Sequence, residues 1–126
     1  MSTILIVEDN EKNMKLVRDI LRHNGHETLE ATTGVEGVNL AVAKRPDLVL
    51  MDIQLPDIDG IEALRRIREV KELDAMPVVA VSASVMPDDQ QKIVTSGFDA
   101  FVTKPINLKQ FLDTVRRFLA SGRDRR

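Results

Sequence analysis

The sequence predicts an α/β domain: a five-stranded parallel sheet with five helices spread over both faces. Three observations predict it. Four apolar runs, at residues 4–7, 48–51, 78–81 and 100–102, are continuous rather than alternating, as expected of strands covered on both sides. Segments with helical periodicity separate them. Strand and helix alternate along the whole chain, an order that yields parallel pairing through right-handed crossovers. The 126 residues suffice for one domain whose core needs no disulfide or structural metal.

The elements follow in order. Residues 4–7 (Ile-Leu-Ile-Val) form the first strand. Asn10 caps the first helix, where Met14, Val17 and Leu21 recur at helical spacing with Leu16 and Ile20 beside them. Gly25 ends that helix in a left-handed conformation. Residues 27–31 make a weaker second strand. Thr33 caps the second helix, with Val35, Val38 and Val42 as its expected buried side and Pro46 beyond its end. The third strand is 48–51, and the next helix starts near Asp59-Gly60 and uses Ile61, Leu64 and Ile67. After the fourth strand, 78–81, comes a polar helix over about 87–96, with Ile93 and Val94 as its apolar anchors. Residues 100–102 form the fifth strand. Asn107 caps the strongest helix, in which Leu108, Phe111, Leu112, Val115 and Leu119 follow the i, i+3, i+4, i+7 pattern.

Composition narrows the function classes. The net charge is −2 with 30% charged residues, so no basic footprint for nucleic acid is expected. Tryptophan and tyrosine are absent and phenylalanines number 4, too few for a base-stacking surface. There is no cysteine for disulfides or thiolate metal sites. The apolar runs are far shorter than a membrane span, and Met1-Ser2-Thr3 leads straight into a strand without a secretory signal. These features make a cytoplasmic protein without membrane insertion the expectation.

Chemistry gathers where the strands end. The first apolar run is followed by Glu8-Asp9, the third by Asp52, the fourth by Ser82 and the fifth by Thr103-Lys104. In open α/β sheets, ligands bind outside the carboxyl ends of the strands, so this topology brings the residues to one rim. Three clustered carboxylates raise one another's pKa, and a divalent cation relieves that repulsion. Oxygen donors without His or Cys select a hard ion, Mg²⁺ or Mn²⁺. Lys104 can neutralise a phosphoryl oxygen as a point charge, Ser82 can donate to another, and Asp52 is a candidate nucleophile for an aspartyl phosphate. Taken singly, each of these residues reads as a turn, cap or surface residue. Four strand ends carrying compatible chemistry do not.

The motifs ILIVEDN, LVLMDIQLPDIDG, VVAVSAS and FVTKPI, in that order and spacing, resemble those of response-regulator receiver domains, the CheY-like family. The resemblance runs from Ile4 to Leu119. Within the family, VEDNEKNMKL and MDIQLP are most similar to stand-alone receivers of the DivK type. The resemblance implies a flavodoxin-like doubly wound (βα)5 fold with strand order 2-1-3-4-5. Residues 1–121 would be the receiver domain and 122–126 a short basic tail. It implies that Asp52 is the phosphoacceptor, that Glu8, Asp9, Asp52 and the Gln54 backbone carbonyl hold Mg²⁺, and that Ser82 and Lys104 contact the phosphoryl group. Pro105 would follow a cis peptide, and Phe101 would be the aromatic switch that turns inward on phosphorylation. Implied partners are a histidine kinase or histidine phosphotransfer protein and a downstream protein target. The receiver would act as a monomer or a phosphorylation-linked dimer, with no attached output domain and no separate enzymatic turnover.

Some positions depart from the commonest pattern. Ser82 stands where threonine is usual, which keeps the hydroxyl and loses a methyl. Phe101 stands where tyrosine is frequent, so a phenolic hydrogen bond is lost. Glu8 stands in place of aspartate, and its longer arm can reach a metal through water. Two other readings compete. A Mg²⁺-dependent phosphatase of the haloacid-dehalogenase kind, or a Toprim domain, would need a D-x-D pair, and Asp52-Ile53-Gln54 lacks the second aspartate. A degenerate receiver that binds partners without phosphate is disfavoured by the intact acidic set. His23 and His26 form an H-x-x-H broken by Gly25. They read as partly exposed histidines near a helix carboxyl end, where a cation is favoured. Met14 reads as core.

Overall fold

A computed structural model describes residues 2–83 and 86–122. The strands β1 (Thr3–Val7), β2 (Glu27–Ala31), β3 (Leu48–Asp52), β4 (Val78–Ser82) and β5 (Ala100–Thr103) alternate with α1 (Glu11–His23), α2 (Gly34–Lys44), α3 (Gly60–Arg68), α4 (Pro87–Thr95) and α5 (Leu108–Ser121). All pairings are parallel, in the order β2-β1-β3-β4-β5. The switch of direction between β1 and β3 makes this the doubly wound topology expected. Of the basic tail expected at 122–126, residues 123–126 lie outside the described residues.

Two apolar layers explain the continuous strand runs. Successive side chains of a strand point to opposite faces. Leu5, Val7, Val49, Met51, Val78 and Ala80 therefore pack with α3 and with parts of α2 and α4. Ile4, Ile6, Leu48, Leu50, Val79 and Val81 pack on the other side against α1 and α5. The β2 strand is at the edge, and only Ala31 is fully buried in it.

Helix starts match the cap chemistry. The side chains of Asn10, Thr33, Asp59 and Asn107 each accept the N–H three residues on. Gly25 follows α1 with φ +87°, the left-handed stop expected there. Met14, Val17 and Leu21 are buried along α1.

Three helices differ from expectation in what they bury. In α2 the buried residues are Gly34, Gly37 and Ala41, whereas Val35 and Val42 are each 41% exposed. The cause is close approach: a Cβ on Gly37 would come 2.7 Å from Val7 Cγ2, so small residues face the sheet, with Val38 packed beside them. In α4, Ile93 is buried but Val94 is exposed. In α5 the inner stripe is Phe111, Val115 and Phe118, and Leu108 lies at the open first turn. A short 3-10 turn at Lys71–Leu73, unforeseen in the sequence, buries Leu73. At the opposite end of the sheet from the acidic rim, Asp99 Oδ2 accepts the Val78 N–H at 2.8 Å and pairs with Arg68 at 3.2 Å. No described helix is long and apolar enough to cross a membrane.

Candidate functional site

The parallel register brings the strand ends together. Val7 lies opposite Met51, Asp52 opposite Val81, and Ser82 opposite Thr103. The next residues therefore share one rim. The ladder continues past the strands there: Ile53 N–H donates to Val81 O at 3.2 Å and Lys104 N–H to Ser82 O at 2.9 Å. The peptide between Lys104 and Pro105 is cis.

Glu8, Asp52 and Ser82 are buried polar residues among the apolar core. The Lys104 ammonium sits between two carboxylates, 2.8 Å from Glu8 Oε1 and 3.0 Å from Asp52 Oδ2. Asp52 Oδ1 accepts the Gln54 N–H at 3.1 Å, and Glu8 Oε2 accepts the Asn10 N–H at 3.1 Å. Asp9 is exposed, yet its carboxylate joins those of Glu8 and Asp52 with ligand oxygens all within 4.8 Å of one another. These three line an open cavity of about 390 Å³ with Gln54, Asn13 and Lys104.

Charge is unevenly balanced here. Burial raises the Glu8 pKa. The Lys104 ammonium and the Asn10 N–H work against that rise, and Asp52 adds to it. Burial also disfavours the Lys104 ammonium, but hydrogen bonds and charge from Glu8 and Asp52 more than offset this and raise its pKa. One lysine thus compensates a set of three carboxylates only in part, and a hard cation fits the remaining negative charge.

A second cavity, of about 190 Å³, opens from Asp52 and Ser82 toward α3 and α4, where Ile61, Asp89, Lys92 and Ile93 line it. The sequence offered Lys92 and Asp89 only as parts of a polar helix; their place beside Asp52 comes from how α4 packs. Phe101 lies opposite Ala80 and is half-buried against the core layer of α3. The predicted rim residues Glu8, Asp9, Asp52, Ser82 and Lys104 therefore converge. The histidines stay outside. His23 is exposed at the end of α1, and the His26 pKa is lowered, by burial first and then by the charge of Arg116, against the cationic form expected there.

Comparison with known proteins follows the same lines. Residues 4–116 match the family model described as the response regulator receiver domain. The chain is 43% identical over 120 residues to the polar-differentiation response regulator DivK of Brucella anthropi, covering 95% of this chain and 98% of the relative. The corresponding protein of Brucella ovis is 42% identical over the same share. Among solved structures, the receiver domain of a sensor histidine kinase from Pseudomonas aeruginosa, with magnesium coordinated in its active-site cleft, superposes with TM-score 0.89. It is 29% identical, over 95% of this chain and 98% of that one. A CheY-like receiver domain protein from Methanospirillum hungatei gives TM-score 0.86 at 28% identity, over 95% and 94%.

Proposed function

The chain belongs to the response regulator receiver domain family, and on that premise we propose that it takes a phosphoryl group onto Asp52. The donor is a phosphohistidine of a histidine kinase or histidine phosphotransfer protein. The observation that carries this reading is the Lys104 ammonium seated between Glu8 and Asp52, at 2.8 and 3.0 Å, within the cluster of three carboxylates. Glu8, Asp9 and Asp52, with the Gln54 backbone carbonyl, would hold Mg²⁺, with Mn²⁺ as a substitute. Bound Mg²⁺ supplies charge neutralisation for the carboxylates and the phosphoryl oxygens.

The chain's own residues supply nucleophile and positioning. The Gln54 N–H holds Asp52 Oδ1. An Asp52 oxygen forms the new bond to phosphorus as the phosphorus–nitrogen bond to histidine breaks, and that electron pair stays on the imidazole. Lys104 turns from its carboxylates to a phosphoryl oxygen, and Ser82 donates its hydroxyl to another. A cavity of about 190 Å³ adjoins Asp52 and Ser82 on the side of α3 and α4, and Phe101 turns further inward. Helix α4, with Ile93 as its buried residue, can shift at low cost.

The chain is thus a signalling switch in the cytoplasm. Phosphorylation changes its contacts with a downstream protein or a second copy, and no nucleic acid is read. The likeness to relatives named response regulators supports this over a turnover phosphatase. Labelling by a phosphohistidine donor with Mg²⁺ tests it. The expected result is stoichiometric, slowly decaying label on the natural protein and none on Asp52→Asn. Label that survives this substitution, or repeated turnover of a free phosphoester, refutes the proposal.

A further inference from the structure

The loop between β3 and α3 carries Gln54 and is pinned at several points. At its base, Gly60 N–H donates to Ile53 O at 2.8 Å. At its start, Gln54 N–H donates to Asp52 Oδ1. At its middle, Asp57 reaches across to a different helix: its two carboxylate oxygens accept the N–H groups of Gly34 and Val35 at 2.8 and 2.9 Å. The neighbouring residue keys into the same place, because a Cβ on Gly34 would come 2.5 Å from Ile58 Cγ1.

We infer that Asp57 is a positioning residue for the phosphoacceptor site. By latching this loop to the first turn of α2, it sets where the Gln54 carbonyl stands and so how tightly the carboxylate pocket takes a divalent cation. The inference rests on the reading of Asp52 and Gln54 given above.

Asp57 and Thr33 divide the first-turn N–H groups of α2 between them, one from a distant loop and one locally. The first turn of α2 already has a local cap, since Thr33 Oγ1 accepts the Glu36 N–H at 3.1 Å. Asp57 adds two bonds from residues 22 and 23 positions away in sequence, and these fix the loop as much as the helix. Between Ile53, tied to β4 and to Gly60, and Asp57, tied to α2, the span 54–56 is held by the Gln54 N–H and by Leu55 packed on the core. The Gln54 carbonyl lies in that span. The latch is a charged one. The hydrogen bond from Val35, with those from Gly34 and neighbouring backbone N–H groups, pulls the Asp57 pKa from 3.8 to about 2, against the opposing effect of burial. It is ionised throughout the physiological range. Because the latch is exposed, water can replace its bonds when it is cut, so loop position and global stability separate.

The test compares Asp57→Ala, Asp57→Asn and Thr33→Ala. Calorimetry gives the Mg²⁺ Kd of each unphosphorylated protein, and labelling from a phosphohistidine donor is followed at limiting and at saturating Mg²⁺. Asp57→Ala is expected to weaken Mg²⁺ binding about tenfold, the low end for losing a group that orients a metal ligand. Labelling slows at limiting Mg²⁺ and recovers at saturation. Asp57→Asn keeps one acceptor oxygen and lies between. Thr33→Ala loosens α2 but leaves the loop latched, and keeps the natural Kd. A natural Mg²⁺ Kd in both Asp57 variants overturns the inference, as does an equal loss in Thr33→Ala. If the natural protein binds no Mg²⁺, or Asp52→Asn is still labelled, the site reading itself fails and the latch falls with it.

Discussion

Replacing Lys104 with methionine keeps its length and removes its charge, which isolates what the ammonium does for the fold. Its side chain is 18% exposed, and those of Glu8 and Asp52 are 5% and 7%. Removing one partner of a buried pair costs about 3–5 kcal/mol. Two features lower that figure here. The cavity beside the carboxylates is open to water, and Glu8 Oε2 keeps its bond from the Asn10 N–H. About 1–3 kcal/mol remains in metal-free buffer at pH 8. At about 4 °C per kcal/mol for a domain of this size, Tm falls by about 4–12 °C. The pH dependence has a definite sign. Glu8 titrates above 4.5 in the folded chain, so the folded state holds this proton more tightly than the unfolded one. Stability from this group is full below pH 4.5 and declines as pH rises through the raised value. Without Lys104 the Glu8 pKa climbs further, so the deficit of the variant grows from acid toward pH 8. Mg²⁺ replaces the missing positive charge and narrows the gap. Far-UV circular dichroism melts read this directly, since the chain has no tryptophan or tyrosine to report by fluorescence. Equal Tm values in metal-free buffer at pH 8, or a gap that widens when Mg²⁺ is added, would refute the reasoning.

Two further substitutions probe the frame around the site. A Cβ on Gly60 would collide with the backbone of Asp52 and Ile53, so Gly60→Ala should cost about 1–3 kcal/mol and slow labelling of Asp52 as well. Denaturant titration and a labelling time course check the two effects, and normal labelling would show that the loop absorbs the methyl. Phe111 is fully buried between α5 and the sheet. Phe111→Ala should cost about 3–5 kcal/mol, measured as a lower urea midpoint at unchanged m-value.

Much of this protein is legible in its sequence because its determinants are local. Central strands buried on both faces must be continuously apolar, so residues 48–51 and 78–81 announce themselves. A side chain that caps a helix acts within three residues, so Asn10, Thr33, Asp59 and Asn107 mark their helix starts. Once strands alternate with helices, parallel pairing follows, and the residues after each strand must share a rim. The site is therefore legible too, down to Glu8, Asp9, Asp52, Ser82 and Lys104. Tertiary structure alone decided what depends on the distance between elements. Helix α2 lies so close to β1 that Gly37, not Val35 or Val42, faces Val7, which no periodicity in residues 34–44 could reveal. Asp57 reads as one more turn residue until α2 is placed beside it. The pKa shifts of Glu8 and Lys104 arise from burial and from each other and Asp52, groups that lie far apart in the chain. Periodicity records which residue types face inward, but contact distances and buried charge exist only after the elements have docked.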